Sequence, residues 1–549
     1  MMKSFKIVAA SLMGLAAVAC GSAEKMAELA DKVTVKCNPE VLEVVAGKVD
    51  ATVTVTYPDG YFLPKAVLEV TPVIVYEGGE VALTPFVYQG EKVKDNYKTI
   101  SSDGQTVTER IHFDYVKGME KSYLELRGTA TLKNKSVALP SRKVADGCNT
   151  TYMLVKAAGL VPYKADNYQE VISYSQEGQI LYRINSSDVA GSQLRGQSIK
   201  DFQQALDDIQ ANERTTLTGT EIVAYASPDG AEELNDNLAD KRSASAGKAW
   251  KTIVKGHEAT DPSVRGAGED WEGFQKLVSE SDIQDKELIL RVLSMYSDPA
   301  VRENEIKNMS QVYTSLRETV LPALRRARFI ANVEYANYTS EELLKQIEDN
   351  IDVLDEEALL RAATLVSDLD QKESIYKKAV DKYESNRARF NLGVVALNKN
   401  EVGKAESAFK KVSVKDADVA NALGVVALRK GDYSEATKKF TEAGTAEAVA
   451  NQGVVDILTG NYEKAVRELA DAKGCCHNTA LAYILTSQLS KASEAIKCDC
   501  PKCAYLKAII AARQGNAQGV KSNLESAVSR SEELKERSVK DIEFADFKL

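Results

Sequence analysis

The sequence predicts a multidomain protein with three parts. These are a β-rich, sandwich-like N-terminal domain, an α/β middle domain with a helical insertion, and an all-α repeat array at the C-terminus. The chain has 549 residues, which is enough for about three or four domains. Apolar and polar residues alternate in the first part, strand and helix patterns alternate in the middle, and similar segments recur near the end.

The composition excludes several functional classes. Hydrophobic residues make up 44% and charged residues 27% of the chain, as in ordinary globular proteins. The net charge of −10 argues against nucleic acid as the main partner, because phosphate binding requires a basic face. Only three histidines are present, and no catalytic triad order, phosphate loop or paired-carboxylate motif stands out. We therefore predict no enzymatic activity, no cofactor and no metal.

The N-terminus carries a targeting pattern. Lys3 and Lys6 precede an apolar run over residues 7–19, which predicts a signal peptide over residues 1–19. This run is too short for a stable membrane span. Cys20 follows Ala17-Val18-Ala19 and resembles the lipobox of bacterial lipoproteins, which implies acylation of Cys20 and a lipidated tether over residues 20–31. The alternative is simple signal cleavage that leaves an unmodified Cys20.

Residues 32–150 predict the β-rich domain. Residues 51–57 alternate Thr with Val and end at the turn signal Pro58-Asp59-Gly60. Similar short strands with regular turn signals follow, which indicates a two-sheet sandwich. Export to an oxidising compartment makes Cys37 and Cys148, which bracket this region, disulfide candidates.

Residues 151–338 predict an α/β domain. A strand over 221–226 runs into a turn, and a helix follows over about 237–254. The segment from Tyr225 to Gly230, followed by Asn235, Leu238 and Arg242, resembles the signature of OmpA-like domains. The stretch from Gly268 to Leu324 predicts a helical insertion before the last strand, and its Gly268-Glu269-Asp270-Trp271 is similar to OmpA-like proteins of Bacteroidetes.

The OmpA-like resemblance implies non-covalent binding of peptidoglycan. In that family a strand-end Asp and a helix Arg hold the charged end of a diaminopimelate side chain, and Arg242 matches the Arg. Ser227 stands where the family has Asp, and only Asp229, two residues on, offers a carboxylate. The predicted peptidoglycan-binding residues are Ser227, Asp229, Asn235 and Arg242. The alternative is that Asn235 and Arg242 only order the turn and the helix.

Residues 339–549 predict a helical repeat array. Residues 391–397, 422–428 and 451–457 are self-similar, and each contains a Gly followed twelve residues later by Ala and four later by Phe or Leu. This pattern resembles the tetratricopeptide repeat (TPR), which implies a concave protein-binding face. Its predicted lining is Val394, Leu397, Val425, Leu428, Val454 and Ile457. The alternative is that the protein's own C-terminal helix fills this groove.

A second group of cysteines lies in the array. Its members are Cys475, Cys476, Cys498, Cys500 and Cys503. Export favours one or two disulfides among them, with a zinc site or free thiols as the alternatives.

Together these features predict a non-enzymatic lipoprotein of Bacteroidetes type on the outer membrane, facing the periplasm. It would tether the membrane to peptidoglycan and recruit a protein partner through its repeats. The alternative is a surface or fimbria-associated adhesion or assembly factor whose OmpA-like fold is inert.

Overall fold

A computed structural model describes residues 23–471 and 476–547, with the backbone alone for residues 310–312. The predicted signal peptide and Cys20 lie outside these ranges. The chain forms two compact units. Unit 1 combines the residues up to Lys164 with those from Glu384 onward, and unit 2 is Ala165–Tyr383. Within the described ranges, no helix is both long and apolar enough to span a bilayer.

The first part of unit 1 is rich in β-structure, as predicted. Its described elements are α1 (Glu24–Glu28), β1 (Thr34–Asn38), β2 (Val41–Val45), β3 (Lys48–Tyr57), β4 (Ala66–Tyr76), β5 (Gly79–Ala82), β6 (Phe86–Gly90), β7 (Lys98–Ile100), β8 (Gln105–Asp114), β9 (Ser122–Leu132), β10 (Lys135–Ala138) and β11 (Arg142–Asn149). In β3, Val49, Val53 and Tyr57 are buried while Thr52 and Thr56 are not. The Thr–Val alternation therefore places one face of the strand in the core.

The strands differ from the prediction in how they are joined. Instead of two separate sheets, the described strands form one curled sheet in the order β1-β3-β2-β11-β9-β4-β6-β7, with β8 on β3, β5 on β4 and β10 on β9. The connection arises because β2 pairs antiparallel with β3 and parallel with β11.

Unit 2 contains the predicted α/β domain with its helical insertion. Its described elements are β12 (Val171–Leu181), α2 (Gln197–Ala211), β13 (Thr215–Ala226), α3 (Glu232–Ile253), β14 (Ser263–Glu269), α4 (Trp271–Glu280), α5 (Lys286–Met295), α6 (Pro299–Asn308), α7 (Ser310–Thr319), α8 (Leu321–Leu324), β15 (Arg326–Ala336), α9 (Ser340–Asp349), α10 (Glu356–Leu365) and α11 (Leu369–Tyr383). The sheet order is β12-β15-β13-β14, with β15 antiparallel to both of its neighbours and β14 parallel to β13.

Aromatic residues on α2, α3 and β15 form the core behind this sheet. The Trp250 ring stacks on Phe329 with centroids 6.0 Å apart, and Phe202 lies 6.1 Å from Trp250. The inserted helices α4–α8 bury a hydrophobic cluster of their own, which includes Phe274 and Leu316. Helices α9–α11 belong to unit 2, so this unit extends past residue 338, where we predicted the domain to end.

The rest of unit 1 is an array of antiparallel helix pairs. Its described helices are α12 (Asn386–Asn398), α13 (Val402–Lys411), α14 (Ala417–Lys430), α15 (Tyr433–Ala443), α16 (Ala446–Leu458), α17 (Tyr462–Leu469), α18 (Cys476–Leu485), α19 (Leu489–Ala495), α20 (Pro501–Arg513), α21 (Ala517–Val528) and α22 (Glu532–Ser538). A Cβ on Gly393 would lie 2.4 Å from a ring carbon of Phe409, and Gly424 meets Phe440 in the same way. The repeated Gly therefore lets the two helices of each pair cross closely, as the motif predicts.

A buried ion pair joins the β-rich part of unit 1 to the end of the array. The Glu543 carboxylate accepts hydrogen bonds from Asn149 Nδ2 at 2.9 Å and Thr151 Oγ1 at 2.7 Å. Arg513 Nη2 donates to the same oxygen at 2.6 Å. Glu543 thus holds the end of β11 and helix α20 together.

Candidate functional site

Three of the predicted peptidoglycan-binding residues come from the segment that runs from the end of β13 into α3. Ser227 directly follows β13, Asp229 lies in the turn after it, and Arg242 reaches back from the middle of α3. A fourth residue, Arg325, joins them from the segment just before β15. We call Ser227, Asp229, Arg242 and Arg325 the arginine cluster.

Arg242 is the most deeply buried member of the arginine cluster, at 1% exposure. Its guanidinium donates from Nε to the Ser186 carbonyl at 3.0 Å, from Nη1 to the Tyr225 carbonyl at 2.9 Å and from Nη2 to the Arg183 carbonyl at 3.2 Å. Its hydrogen bonds to described residues thus all end on neutral carbonyl oxygens. Burial lowers the pKa of Arg242 to about 10, because a cation out of water with neutral partners is poorly stabilised.

The other three members are connected: Asp229 and Arg325 form an ion pair, and Ser227 forms a hydrogen bond with each of them. Ser227 Oγ donates to Asp229 Oδ1 at 2.6 Å, and Arg325 Nη2 lies 3.2 Å from Asp229 Oδ2. Arg325 Nε also donates to Ser227 Oγ at 3.2 Å. The side chains of Asp229 and Arg325 keep 17% and 12% of their surface exposed. This pair is therefore the part of the cluster that solvent reaches.

Asn235 faces a different neighbour from the other predicted residues. Its Nδ2 donates to Glu269 Oε1 at 2.7 Å, and Trp271 Nε1 donates to the second oxygen of Glu269 at 2.8 Å. Asp270 accepts from the backbone N–H of Gly273 and so caps α4. Asn235 thus ties α3 to the Gly-Glu-Asp-Trp segment.

Sequence reasoning did not find Arg325. The residue precedes the last strand in a short basic run with Arg326 and Arg328, and nothing in the sequence links it to Asp229, nearly one hundred positions earlier. Only the antiparallel pairing of β15 with β13 brings the two together.

The second predicted site, the repeat groove, is occupied by the chain itself. Residues 155–164, here called the groove segment, link the β-rich part to unit 2 and lie along the array. Val155, Ala157, Val161 and Tyr163 pack on the hydrophobic cluster of the repeats. All six predicted groove residues are buried, and five of them (Val394, Leu397, Val425, Leu428 and Val454) belong to this cluster, while Ile457 lies in the neighbouring one.

A series of asparagines on the repeats binds the backbone of the groove segment. Asn391 pairs with both the N–H and the C=O of Lys164, at 2.7 and 3.0 Å. Asn451 does the same for Leu160 at 2.7 and 2.9 Å, and Asn478 for Lys156 at 2.9 and 3.0 Å. Every fourth residue of the segment is therefore held by side-chain amides, and the Leu160 carbonyl also accepts from Asn421 at 3.0 Å.

A glycine and two ion pairs also hold the groove segment on the array. Gly159 has a φ of +74°, and a Cβ there would lie 2.5 Å from Val425. At the end of the segment, Lys164 Nζ binds Asp416 at 2.8 Å and also binds Asp418. The C-terminal residues, which we considered as the occupant, instead pack on α20, where Tyr505 donates to Asp541 at 2.8 Å.

The described cysteines are free thiols in the structure. Cys37 and Cys148 are both buried, and burial raises the pKa of the Cys148 thiol to about 11. Cys476, Cys498, Cys500 and Cys503 come together at the start of α18 and α20, with sulfur–sulfur distances of 3.1 to 3.9 Å. Cys475 lies outside the described residues, and disulfide formation at these positions stays a prediction.

Comparisons with known proteins give structural neighbours only. No protein-family model and no curated protein matches the chain. The APC/C hetero-tetramer Cut9–Hcn1 is 12% identical, with a TM-score of 0.33, over 48% of this chain and 58% of that chain. The chain thus spans less than two thirds of this first neighbour.

Two further neighbours are described as TPR proteins. One, from Parabacteroides merdae, is 14% identical, with a TM-score of 0.30, over 37% of this chain and 91% of its own. YrrB, a TPR protein with an unusual peptide-binding site, is 18% identical, with a TM-score of 0.21, over 37% of this chain and 100% of its own. Identities and TM-scores this low do not carry a function over to this chain, so its function has to be inferred from its own residues.

Proposed function

We propose that this protein is a non-enzymatic scaffold of a bacterial cell envelope that binds peptidoglycan through the arginine cluster. In this proposal Cys20 is acylated and holds the chain on the periplasmic side of the outer membrane. The α/β domain of unit 2 acts as an OmpA-like wall-binding domain, and the remaining modules present surfaces to protein partners.

The observation that carries the proposal is the charge state of the cluster. Arg242 is buried with three carbonyl acceptors and the Tyr182 ring, and Arg325 is paired with Asp229, which is the only carboxylate of the cluster. Two guanidinium groups and one carboxylate leave one net positive charge in a largely buried cluster. A ligand carboxylate would offset that charge, because a guanidinium offers a planar fork that matches it.

The same cluster also offers a partner for an ammonium group. Asp229 binds Ser227, at the strand end where the OmpA-like signature has its own Asp, with an Oγ–Oδ1 distance of 2.6 Å. The Asp229 carboxylate therefore lies next to Ser227, the position at which the OmpA-like signature has a carboxylate and this chain has none. A ligand that carries both a carboxylate and an ammonium, as the end of diaminopimelate does, fits an Arg–Asp pair of this kind.

The order of the sheet supports the OmpA-like assignment. The turn with Ser227 and Asp229 follows a central strand and opens directly into the helix that carries Arg242, as the resemblance requires. The order β12-β15-β13-β14 places β15 beside β13, so that Arg325 reaches the turn.

Co-sedimentation with purified peptidoglycan tests wall binding. The wild type should pellet, while Asp229→Asn and Arg325→Ala should each weaken binding by about tenfold or more, the usual cost of a lost charged hydrogen bond. Arg265→Ala is the matched control, because Arg265 is an exposed arginine on β14 of the same unit. The binding of Arg242→Ala is interpreted only if circular dichroism shows that this variant is folded.

Equal pelleting of all variants, or none, removes the wall-binding proposal. In that case the better-supported function is that of an adhesion or assembly factor with an inert α/β domain.

Protease treatment of intact cells distinguishes the two membrane faces, because a periplasmic chain is protected until the outer membrane is opened. Metabolic labelling with a fatty acid, with Cys20→Ser as the control, tests the anchor.

The partner-binding part of the proposal is constrained by the groove segment. A peptide that used the six predicted groove residues would have to displace residues 155–164 and their asparagine contacts. The scaffold role therefore rests on surfaces other than this groove, or on competition with the segment.

A further inference from the structure

Four cysteines of the array converge on one point although the chain separates them into two groups. Cys476 opens α18, whereas Cys498 and Cys500 lie in the connection between α19 and α20 and Cys503 lies in the first turn of α20. Pro501 starts α20 and fixes the direction of the chain between Cys500 and Cys503. Packing of α18 against α20 brings the two groups together.

The sulfur atoms form a mutual cluster. Cys498 Sγ lies 3.1 Å from Cys503 Sγ and 3.5 Å from Cys500 Sγ, and Cys476 Sγ lies 3.9 Å from Cys503 Sγ. The sulfurs of Cys476, Cys498 and Cys503 all lie within 4.8 Å of one another, and Cys500 Sγ adjoins these three through Cys498. Thiolates at about 2.3 Å from a tetrahedral zinc ion stand about 3.8 Å apart, so the three sulfurs are spaced to share one metal and Cys500 stands beside them as the fourth thiolate.

Two of the four sulfurs have a polar donor beside them. The backbone N–H of Lys497 donates to Cys476 Sγ at 3.3 Å, and Lys156 Nζ from the groove segment lies 3.6 Å from Cys500 Sγ. The one acidic residue between Cys498 and Cys503, Asp499, lies 3.4 Å from Arg530 and is 85% exposed. Amide and ammonium donors around the sulfurs are the outer contacts that zinc thiolate sites use.

The same geometry fits a pair of disulfides poorly. The sulfur contacts run from Cys476 through Cys503 and Cys498 to Cys500, so two pairs form only as Cys476–Cys503 and Cys498–Cys500, which breaks the shortest contact, that of Cys498 with Cys503. Pairing Cys498 with Cys500 would also close a ring across one intervening residue, which strains a disulfide.

We infer that Cys476, Cys498, Cys500 and Cys503 form a structural zinc site that fastens the α18–α20 repeat. Zinc stays divalent throughout: it forms four Zn–S bonds, and the thiol protons leave to solvent. Four protein ligands leave no open position, so the site supports folding rather than chemistry. Lys156 contacts this site, so zinc also helps to hold the first residues of the groove segment.

The test measures metal in the full chain, purified from the cell envelope without chelators and with free thiols blocked at lysis. We expect about one zinc ion per chain by elemental analysis. Cys500→Ser and Cys503→Ser should each lose most of it, while Cys37→Ser, at a buried cysteine of β1, should retain it. Replacement of zinc by cobalt should give the thiolate-to-cobalt absorption of a four-sulfur site.

Two results would overturn the inference. One is an intact mass that shows these cysteines oxidised in a metal-free chain. The other is a zinc content that the serine variants do not change. Because Cys503 is buried and its variant can fail to fold, the half-buried Cys500 gives the second reading: a cobalt spectrum that this variant leaves unaltered also contradicts a four-thiolate site.

Discussion

At the scale of single residues, the buried acidic pair of the array makes stability depend on pH. Glu468 on α17 and Asp456 on α16 share Lys464, which lies 3.0 Å from Asp456 and 3.3 Å from Glu468. Burial, together with the hydrogen bond to Asp456, raises the pKa of Glu468 to about 7. Although burial opposes it, hydrogen bonds from Glu468 and Lys464 keep the pKa of Asp456 below its ordinary value.

We predict that unit 1 loses stability as Glu468 ionises. The folded pKa of Glu468 lies above its ordinary value of 4.5, so its contribution is complete below pH 4.5 and is lost as the pH rises through about 7. Between pH 5 and pH 8 the free energy of unfolding should fall by about 2–3 kcal/mol. Glu468→Gln should remove this fall, because an amide does not ionise in this range and can still donate to Asp456. Urea unfolding at the two pH values measures the difference.

Glu463→Gln, on the exposed side of the same helix, is the control and should keep the wild-type pH dependence. An unchanged fall in Glu468→Gln would assign the effect to another group.

Residue patterns predicted the contacts between the two helices of each repeat better than they predicted what occupies the groove. Gly393 with Phe409 and Gly424 with Phe440 recur at fixed spacing, and the structure brings each pair into contact. The occupant of the groove carries no such pattern, because residues 155–164 have neither strand nor helix periodicity. The available signal was the recurrence of Asn391, Asn421 and Asn451 at nearly the repeat length, which marks polar side chains on an otherwise apolar face.

In the arginine cluster, too, the sequence predicted one part and the fold was needed for the other. Ser227, Asp229 and Arg242 lie within one strand–turn–helix segment, so local sequence places them near each other. Arg325 and the Arg183 and Ser186 carbonyls come from segments far along the chain, and sheet pairing alone brings them in. Sequence therefore predicted the local half of the site, and the buried, carbonyl-bound state of Arg242 required the fold.

At the scale of elements, the groove segment depends on side-chain amides for its backbone hydrogen bonds. It forms no regular helix or strand, and unpaired peptide groups against an apolar surface are costly. Asn451 is 2% exposed and serves both the N–H and the C=O of Leu160. Its Nδ2 also contacts Asn421 at 2.9 Å, which links two repeats.

We predict that Asn451→Ala loosens the groove segment. Loss of the amide leaves the Leu160 N–H without this acceptor, which should cost about 1–3 kcal/mol. Hydrogen exchange followed by mass spectrometry should show faster exchange over residues 155–164. Asn523→Ala, which removes an amide that binds only its own helix at Gly519, should leave this exchange rate unchanged. Equal protection in Asn451→Ala would mean that the Asn451 amide does not help to hold the segment.

At the scale of the whole molecule, Glu543 joins sequence-distant parts of unit 1. Its carboxylate is 6% exposed and meets Arg513, Asn149 and Thr151. Hydrogen bonds and charge from Arg513 lower the pKa of Glu543 despite its burial. The β-rich part and the array therefore share one buried charge pair.

We predict that Glu543→Gln destabilises unit 1 by about 3–5 kcal/mol, because Arg513 stays buried without its counter-charge. Circular dichroism during urea unfolding should show the shift. Both tryptophans, Trp250 and Trp271, lie in unit 2, so their fluorescence follows that unit separately and should change less. Glu532→Gln, at an exposed pair with Lys535, is the control and should move neither transition. A wild-type midpoint for Glu543→Gln would show that the ion pair adds nothing.

The interruption of unit 1 by unit 2 also sets an order of assembly during synthesis. The ribosome makes the β-strands and residues 155–164 first, then all of Ala165–Tyr383, and only afterwards the helices that receive residues 155–164. Unit 2 is a contiguous stretch and has all its partners as soon as it emerges. The earliest strands and residues 155–164 therefore complete their packing only when the last helices are available, so part of the apolar surface of unit 1 stays uncovered until the end of the chain has emerged.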